Sequence, residues 1–229
     1  MCLPKNIHYC WFGRKPLPKL ALKCINSWRK FLPEFQITEW NEDNFDVNII
    51  PYTAEAYKRG KFAFVSDFAR FWILYNQGGL YFDTDVEIIK SMDDIIENGP
   101  FIGIENDNQR IYIAPGLGMG AYSKMIFYKE IISIYEKYNP QDLIEPLLIK
   151  ETTDLFVSKG FKLIDKIQKI DDITIYPNEY FNPKDDYTGK IHITDNTRAI
   201  HHFAKSWVEN YGPLRNSLTQ FYHRLLLRF

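Results

Sequence analysis

The chain has 229 residues, enough for one sizeable core and near the upper end for a single domain. Its hydrophobic share of 45% and charged share of 25% are those of an ordinary globular protein, and a formal net charge of -1 lacks the basic excess of a phosphate-backbone binder, so no nucleic-acid partner is expected. Cys2, Cys10 and Cys24 are odd in number and lack C-x-x-C spacing, which argues against a disulfide framework or structural zinc and for a reducing compartment. No apolar stretch reaches the length of a signal peptide or the roughly 20 residues of a membrane span, so the expected location is the cytoplasm.

Residues 5 to 12 alternate toward Ile7, Tyr9, Trp11 and Phe12 and stop at Gly13, which predicts a buried strand and then a loop through Pro16 and Pro18. An amphipathic helix is expected over 19 to 31, then a half-buried strand from Phe35 to Trp40, stopped by the polar cluster Asn41-Glu42-Asp43-Asn44. A strand, helix, strand opening is of the α/β kind. From Ala63 to Tyr75 the chain is apolar apart from Ser66, Asp67 and Arg70, and Gly78-Gly79 follows, which predicts a helix buried on most of its surface. Asp67 and Arg70 share one helical face, and charges there must pair or look into a polar cleft.

The run from Gly78 to Glu87, GGLYFDTDVE, then delivers Asp83 and Asp85 from the end of a short apolar strand. In extended chain Asp83, Asp85 and Glu87 share a face, and carboxylates that close call for a cation, with hard oxygens suiting Mg2+ or Mn2+. A solvated turn accounts for the same triplet. Beyond it come a strand over Pro100 to Ile104 and the Gly-rich segment Ala114 to Ala121, which fits neither a phosphate loop nor a dinucleotide pattern and marks a close backbone approach. Helices are expected over 122 to 138 and 151 to 168, a strand over Ile173 to Tyr176, a loop over Tyr180 to Gly189, and a last apolar run from Arg198 to Phe203. Residues 214 to 229 have helix-spaced apolar positions and three arginines, Arg215, Arg224 and Arg228, without an acid. The organisation expected is therefore a domain over 1 to 213 and a basic amphipathic helix that docks at home or rests peripherally on a membrane.

Taken in order, the segments Ile7 to Gly13, Phe64 to Arg70, Gly78 to Glu87, and Ala199-Ile200-His201-His202-Phe203 with Ser206-Trp207 give the chain its resemblance to glycosyltransferase family 32. This is the DXD-containing group of bacterial capsule and lipopolysaccharide transferases, yeast mannosyltransferase relatives and glucosylating clostridial toxins. The resemblance implies a GT-A fold, a Rossmann-like α/β sandwich with a mixed central sheet that binds a nucleotide sugar and metal at the carboxyl ends of its strands. It implies roles for single residues too. Trp11 stacks on the nucleotide base, Asp67 and Arg70 grip the donor, Asp83 touches ribose and metal, and Asp85 ligates the metal directly. Ser206 and Trp207 bind the donor, Trp207 as a lid, and Arg70 or Lys205 shares the charge of the leaving diphosphate. Spacing does not choose between His201 and His202 as the late metal ligand; the His-Phe step of the resemblance favours His202 and leaves Glu87 a solvated residue.

The activity implied is a Mn2+- or Mg2+-dependent transfer of a hexose from a UDP- or GDP-sugar to a glycan or lipid-linked acceptor, with retention, in surface polysaccharide synthesis. Two rivals fit parts of the sequence. A strand followed by the D-x-D of Asp83-Thr84-Asp85-Val86 also suits a haloacid-dehalogenase-type phosphotransferase with Asp83 as nucleophile, and the aromatics suit a non-catalytic sugar-binding module.

Overall fold

The computed structural model describes residues 2–107, 110–139, 147–186 and 188–204. In chain order the elements are β1 (Asn6–Cys10), α1 (Lys19–Phe31), β2 (Gln36–Trp40), α2 (Pro51–Lys58), α3 (Phe62–Gln77), β3 (Gly79–Tyr81), β4 (Val86–Ile88), α4 (Asp93–Glu97) and β5 (Phe101–Asn106). They continue with β6 (Ile111–Ile113), a single 3-10 turn at Pro115–Leu117, β7 (Met119–Ala121), α5 (Ile126–Glu136), α6 (Leu147–Ser158), β8 (Gln168–Ile170), β9 (Ile173–Tyr176), α7 (Asn178–Phe181) and β10 (Ala199–His201).

Period-two alternation in the strands builds the layers. In β1, Ile7 and Tyr9 point to one face of the sheet and Cys10 to the other; in β3, Leu80 and Tyr81 divide the same way, as do Phe101 and Ile102 in β5. On the first face α1 packs its buried stripe of Ala21, Cys24, Ile25 and Trp28, spaced three and four apart, with Arg29 and Lys30 placed favourably in its last turn. On the second face α3 and α5 bury Phe68, Phe71, Leu74, Phe127, Tyr128 and Ile131. The strand order of the main sheet is β2-β1-β3-β7-β5-β9-β8, with β6 added on β5. β2 and β3 run parallel to β1, and β9 runs parallel to β5; β7 lies antiparallel between β3 and β5, so β1, β3 and β5 all end on the same side. β4 and β10 form a separate antiparallel pair beside that edge.

Several expected elements appear with different limits. The helix expected over 151 to 168 stops at Ser158 and gives way to a loop and β8, and the loop expected over 180 to 189 begins inside α7. The Gly-rich segment contains β7, an internal strand with no bulky β-forming residue. A Cβ on Gly120 would lie 2.5 Å from Phe101, so this strand must be slim to fit. The expected terminal helix over 214 to 229 lies outside the described residues, as do Lys205, Ser206 and Trp207.

Candidate active site

The carboxyl ends of β1, β3 and β5 carry Trp11, Asp83 and Glu105 to one side of the sheet, where open α/β sheets place their ligands. The acidic triplet is not the extended ribbon that alternation suggested. β3 stops at Tyr81, and residues 83 to 86 close a turn in which Val86 N donates to Asp83 O at 3.1 Å. The turn separates the two carboxylates, so that each meets a different part of the molecule.

Asp83 faces the core. Its Oδ1 accepts from Tyr81 Oη at 3.1 Å and lies 3.2 Å from Arg70 Nη2, which in turn sits 2.9 Å from Asp67 Oδ1. The Asp67 and Arg70 pair of α3 is thus not self-contained; its guanidinium bridges to the first acid of the motif. Arg70 is buried, and its Nε donates to Ser66 O at 3.2 Å while the guanidinium lies 5.2 Å from the Tyr81 ring centre. Burial pushes Asp67 up to about 6, Arg70 opposing and Asp83 adding to the shift. Burial raises Asp83 as well, with Arg70 opposing it and the Asp85 charge reinforcing it.

Asp85 faces the β4–β10 pair. Its Oδ2 lies 3.3 Å from His201 Nε2 and accepts from Ala204 N at 2.8 Å, while its carbonyl accepts from His202 N at 2.9 Å. Burial opposes ionisation of Asp85, but His201 and the backbone donor outweigh it and hold the carboxyl at about 2. Burial would lower His201, yet Asp85 first, then Glu105 and Asp83, raise it above the usual imidazole range. His202 turns elsewhere: its Nε2 lies 2.7 Å from Glu87 Oε2, which also meets Lys23 Nζ at 2.7 Å. The adjacent histidines at the end of β10 therefore divide, and the one beside Asp85 is His201, where the sequence favoured His202. Nor is Glu87 solvated; its side chain is only 18% exposed and is held from two sides.

Trp11 is half-buried just past β1, its backbone N bonded to Trp40 O at 2.9 Å and its indole donating to Lys15 O at 2.6 Å. Two neighbours of the acids escaped the sequence reading. Gly116 accepts from Asp83 N at 3.1 Å, and a Cβ there would come within 2.1 Å of Asp83 Oδ2. Its signal was the Gly-rich segment, whose partner only the fold reveals. Glu105 pairs across strands with Tyr112, and burial raises its pKa against the influence of His201; an isolated Glu at a strand end carries no such signal.

Residues 18–102, which hold Asp67, Arg70, Asp83 and Asp85, match the model of the glycosyltransferase sugar-binding region containing the DXD motif. That region of the chain is similar to the DXD-motif glycosyltransferases. This DXD-motif chain is 30% identical over 128 residues to the initiation-specific alpha-1,6-mannosyltransferase of Candida albicans, covering 47% of this chain and 33% of the relative. It is 28% identical over 111 residues to inositol phosphoceramide mannosyltransferase 1 of Schizosaccharomyces pombe, covering 44% and 33% respectively. The chain thus spans about a third of the length of these curated relatives. Among solved structures it is similar to PaToxG Glycosyltransferase, with a TM-score of 0.53 and 16% identity over 69% of this chain and 70% of that one. That likeness concerns the fold, which is the GT-A kind of mixed α/β sandwich implied by the family resemblance.

Among the described residues no three His, Cys, Asp or Glu side chains are already gathered as a metal cage. The chemistry of the donor set nonetheless suits a hard divalent cation. Asp85 lies 3.3 Å from His201, Asp83 is raised partly by the Asp85 charge, and His201 Nδ1 is buried without a hydrogen-bond partner among the described residues. The match to a sugar-binding region sets aside the phosphotransferase reading, in which Asp83 would be the nucleophile; Asp83 Oδ1 is already taken by Arg70 and Tyr81.

Proposed function

We propose that the protein transfers a hexose from a UDP- or GDP-linked sugar to a glycan or lipid-linked acceptor, with Mn2+ or Mg2+ held at Asp83 and Asp85. The observation that carries this reading is the Arg70 bridge, which ties Asp67 of α3 to the first acid of the motif inside the matched region. Both curated relatives are named mannosyltransferases, which makes a mannosyl donor the first to test. Surface polysaccharide synthesis, retention of configuration, a cytoplasmic location and peripheral membrane contact through residues 214 to 229 belong to the same proposal.

Asp83, Asp85 and His201 would hold the cation, with His202 displaced from that role by its contact to Glu87. When bound, the cation neutralises charge on the departing diphosphate as a Lewis acid. The chain's own residues prepare the site. Arg70, buried and spent on two acids, fixes the direction of Asp83 rather than reaching for substrate. Asp67, raised to about 6 and partly open, offers a carboxyl that accepts from sugar hydroxyls when ionised. The Trp11 ring would stack on the nucleotide base, a contact of about 1 to 3 kcal/mol. In the metal-free protein the raised basicity of His201 favours an imidazolium beside Asp85.

Turnover of GDP-mannose and UDP-sugars, followed as nucleoside diphosphate release with and without EDTA, tests the proposal. Removing the metal, or making Asp85→Asn, is expected to lower kcat about 10²- to 10³-fold, the loss typical of a preorganised charge-stabilising group. Undiminished turnover in EDTA would sink the metal assignment, and an active Asp85→Asn would sink the role of the motif.

A further inference from the structure

The segment Phe161 to Lys169, FKLIDKIQK, where the sequence predicted more helix, is a folded loop with an unusual division of its side chains. Phe161 anchors it in the core. The Gln168 amide clamps it: Oε1 accepts from Lys162 N at 2.9 Å, and Nε2 donates to Lys162 O at 2.8 Å and Ile164 O at 3.3 Å. Asp165, its one acid, turns inward and accepts from Asn178 N at 2.8 Å and Asn106 Nδ2 at 2.9 Å. With both polar uncharged and acidic groups drawn in, the outward face consists of Leu163, Ile164 and Ile167, exposed by 54%, 44% and 55%, and the exposed Lys162, Lys166 and Lys169.

We propose that this loop is a docking surface for an anionic lipid bilayer. Apolar side chains that enter the acyl boundary, interleaved with lysines at headgroup level, are the composition such a surface requires. Charge decides against the other occupants. A second copy would bring like-charged lysines together, and the chain's own residues 214 to 229 carry Arg215, Arg224 and Arg228 without an acid, so they share the loop's sign. The nearest acids lie to the side of this face: Glu179 stands across an open pocket of about 580 Å³ beside Ile167, accepting from Thr194 and Asn196, and Asp171 lies beyond β8, 3.9 Å from Lys159.

Asp165 links the loop to Asn106, the last residue of β5 and the neighbour of Glu105 in the cleft. Docking would hold that rim of the cleft at the lipid surface. This consequence for a lipid-linked acceptor rests on the proposed function; the docking itself does not.

The test is sedimentation of the full chain with vesicles of phosphatidylglycerol and phosphatidylcholine, or of phosphatidylcholine alone. Wild type is expected to bind the anionic vesicles and not the neutral ones. Leu163→Asp/Ile167→Asp should weaken partitioning on the order of tenfold or more. Lys162→Gln/Lys166→Gln/Lys169→Gln should weaken it roughly fivefold per lysine. Both sets alter exposed positions, so thermal melts and nucleotide-sugar turnover in solution should match wild type. Binding that is absent in wild type, equal on neutral vesicles, or unchanged in both variants overturns the proposal, the last result assigning any membrane contact to residues 214 to 229.

Discussion

Asp83 and Asp85 are two residues apart yet belong to two differently built regions. Asp83 is fixed by α3 and β3, from the largest core cluster, through a buried guanidinium and a buried tyrosine. Asp85 is fixed by β10 and the residues after it, more than a hundred positions later, through an imidazole and a backbone N–H. The two regions also push their acids in opposite directions, Asp83 upward and Asp85 down to about 2. One motif thus has a half held by the interior and a half held by a late, small sheet. Disturbing the first half should cost stability; disturbing the second should mainly change how the site titrates.

The largest effect is expected at Arg70. Arg70→Ala leaves Asp67 and Asp83 without their shared cation, and breaking a buried ion pair from one side costs about 3 to 5 kcal/mol. The cost should depend on pH. Asp67 is already raised to about 6, so the folded state binds more protons than the unfolded chain as pH rises from the ordinary carboxylate range, and stability falls over that interval. Without Arg70 both acids rise further, so urea unfolding should show a large deficit near about pH 8 that shrinks toward about pH 5. A deficit independent of pH would mean that Arg70 acts by packing alone.

The core-held half was largely legible in the sequence, because its information is local. Asp67 and Arg70 are three apart on an apolar helix, and Asp83 follows a short apolar strand. The bridge between them was not legible, since the sequence fixes each element but not the distance between elements. The other half was read less well. His201 ends β10 and His202 follows it, so they point to opposite sides, and which side faces Asp85 depends on the register of β10 against β4, in which His201 pairs with Val86. Glu87 looked solvated for the same reason; its partners Lys23 and His202 come from distant elements. β7 escaped because an internal strand of Met, Gly and Ala has no β-forming signature.

Gly116, which backs Asp83 and Arg70 in the core-held half, carries a smaller expected cost. The Cβ of Gly116→Ala would come within 2.1 Å of Asp83 Oδ2, and overpacking of this kind costs about 1 to 3 kcal/mol if the backbone shifts. The alternative is that the carboxylate rotates away, sparing stability at the expense of turnover. Thermal melting and turnover measured together separate these outcomes: activity should fall more than the melting temperature suggests, because the new methyl strikes the functional carboxylate itself. Unaltered activity would show that the direction of Asp83 is not critical.

The smallest effect, and the sharpest on the late half, comes from comparing His201→Gln with His202→Gln in metal-free protein. Asp85 has its folded pKa depressed to about 2, so its contribution is present above the ordinary carboxylate range and is lost as pH falls toward that value. His201 has its folded pKa raised, so its contribution is full below the ordinary imidazole value and is lost as pH rises through the raised one. The pair therefore adds a stability maximum between about pH 4 and pH 6.5, which His201→Gln should flatten. His202→Gln removes one contact to Glu87, which keeps Lys23, so a loss of about 0.5 to 1.5 kcal/mol is expected with the maximum intact. If His202→Gln instead erased the maximum in melting temperature against pH, the division of the two histidines between Asp85 and Glu87 would be wrong, and the late half of the site would have to be rebuilt around His202.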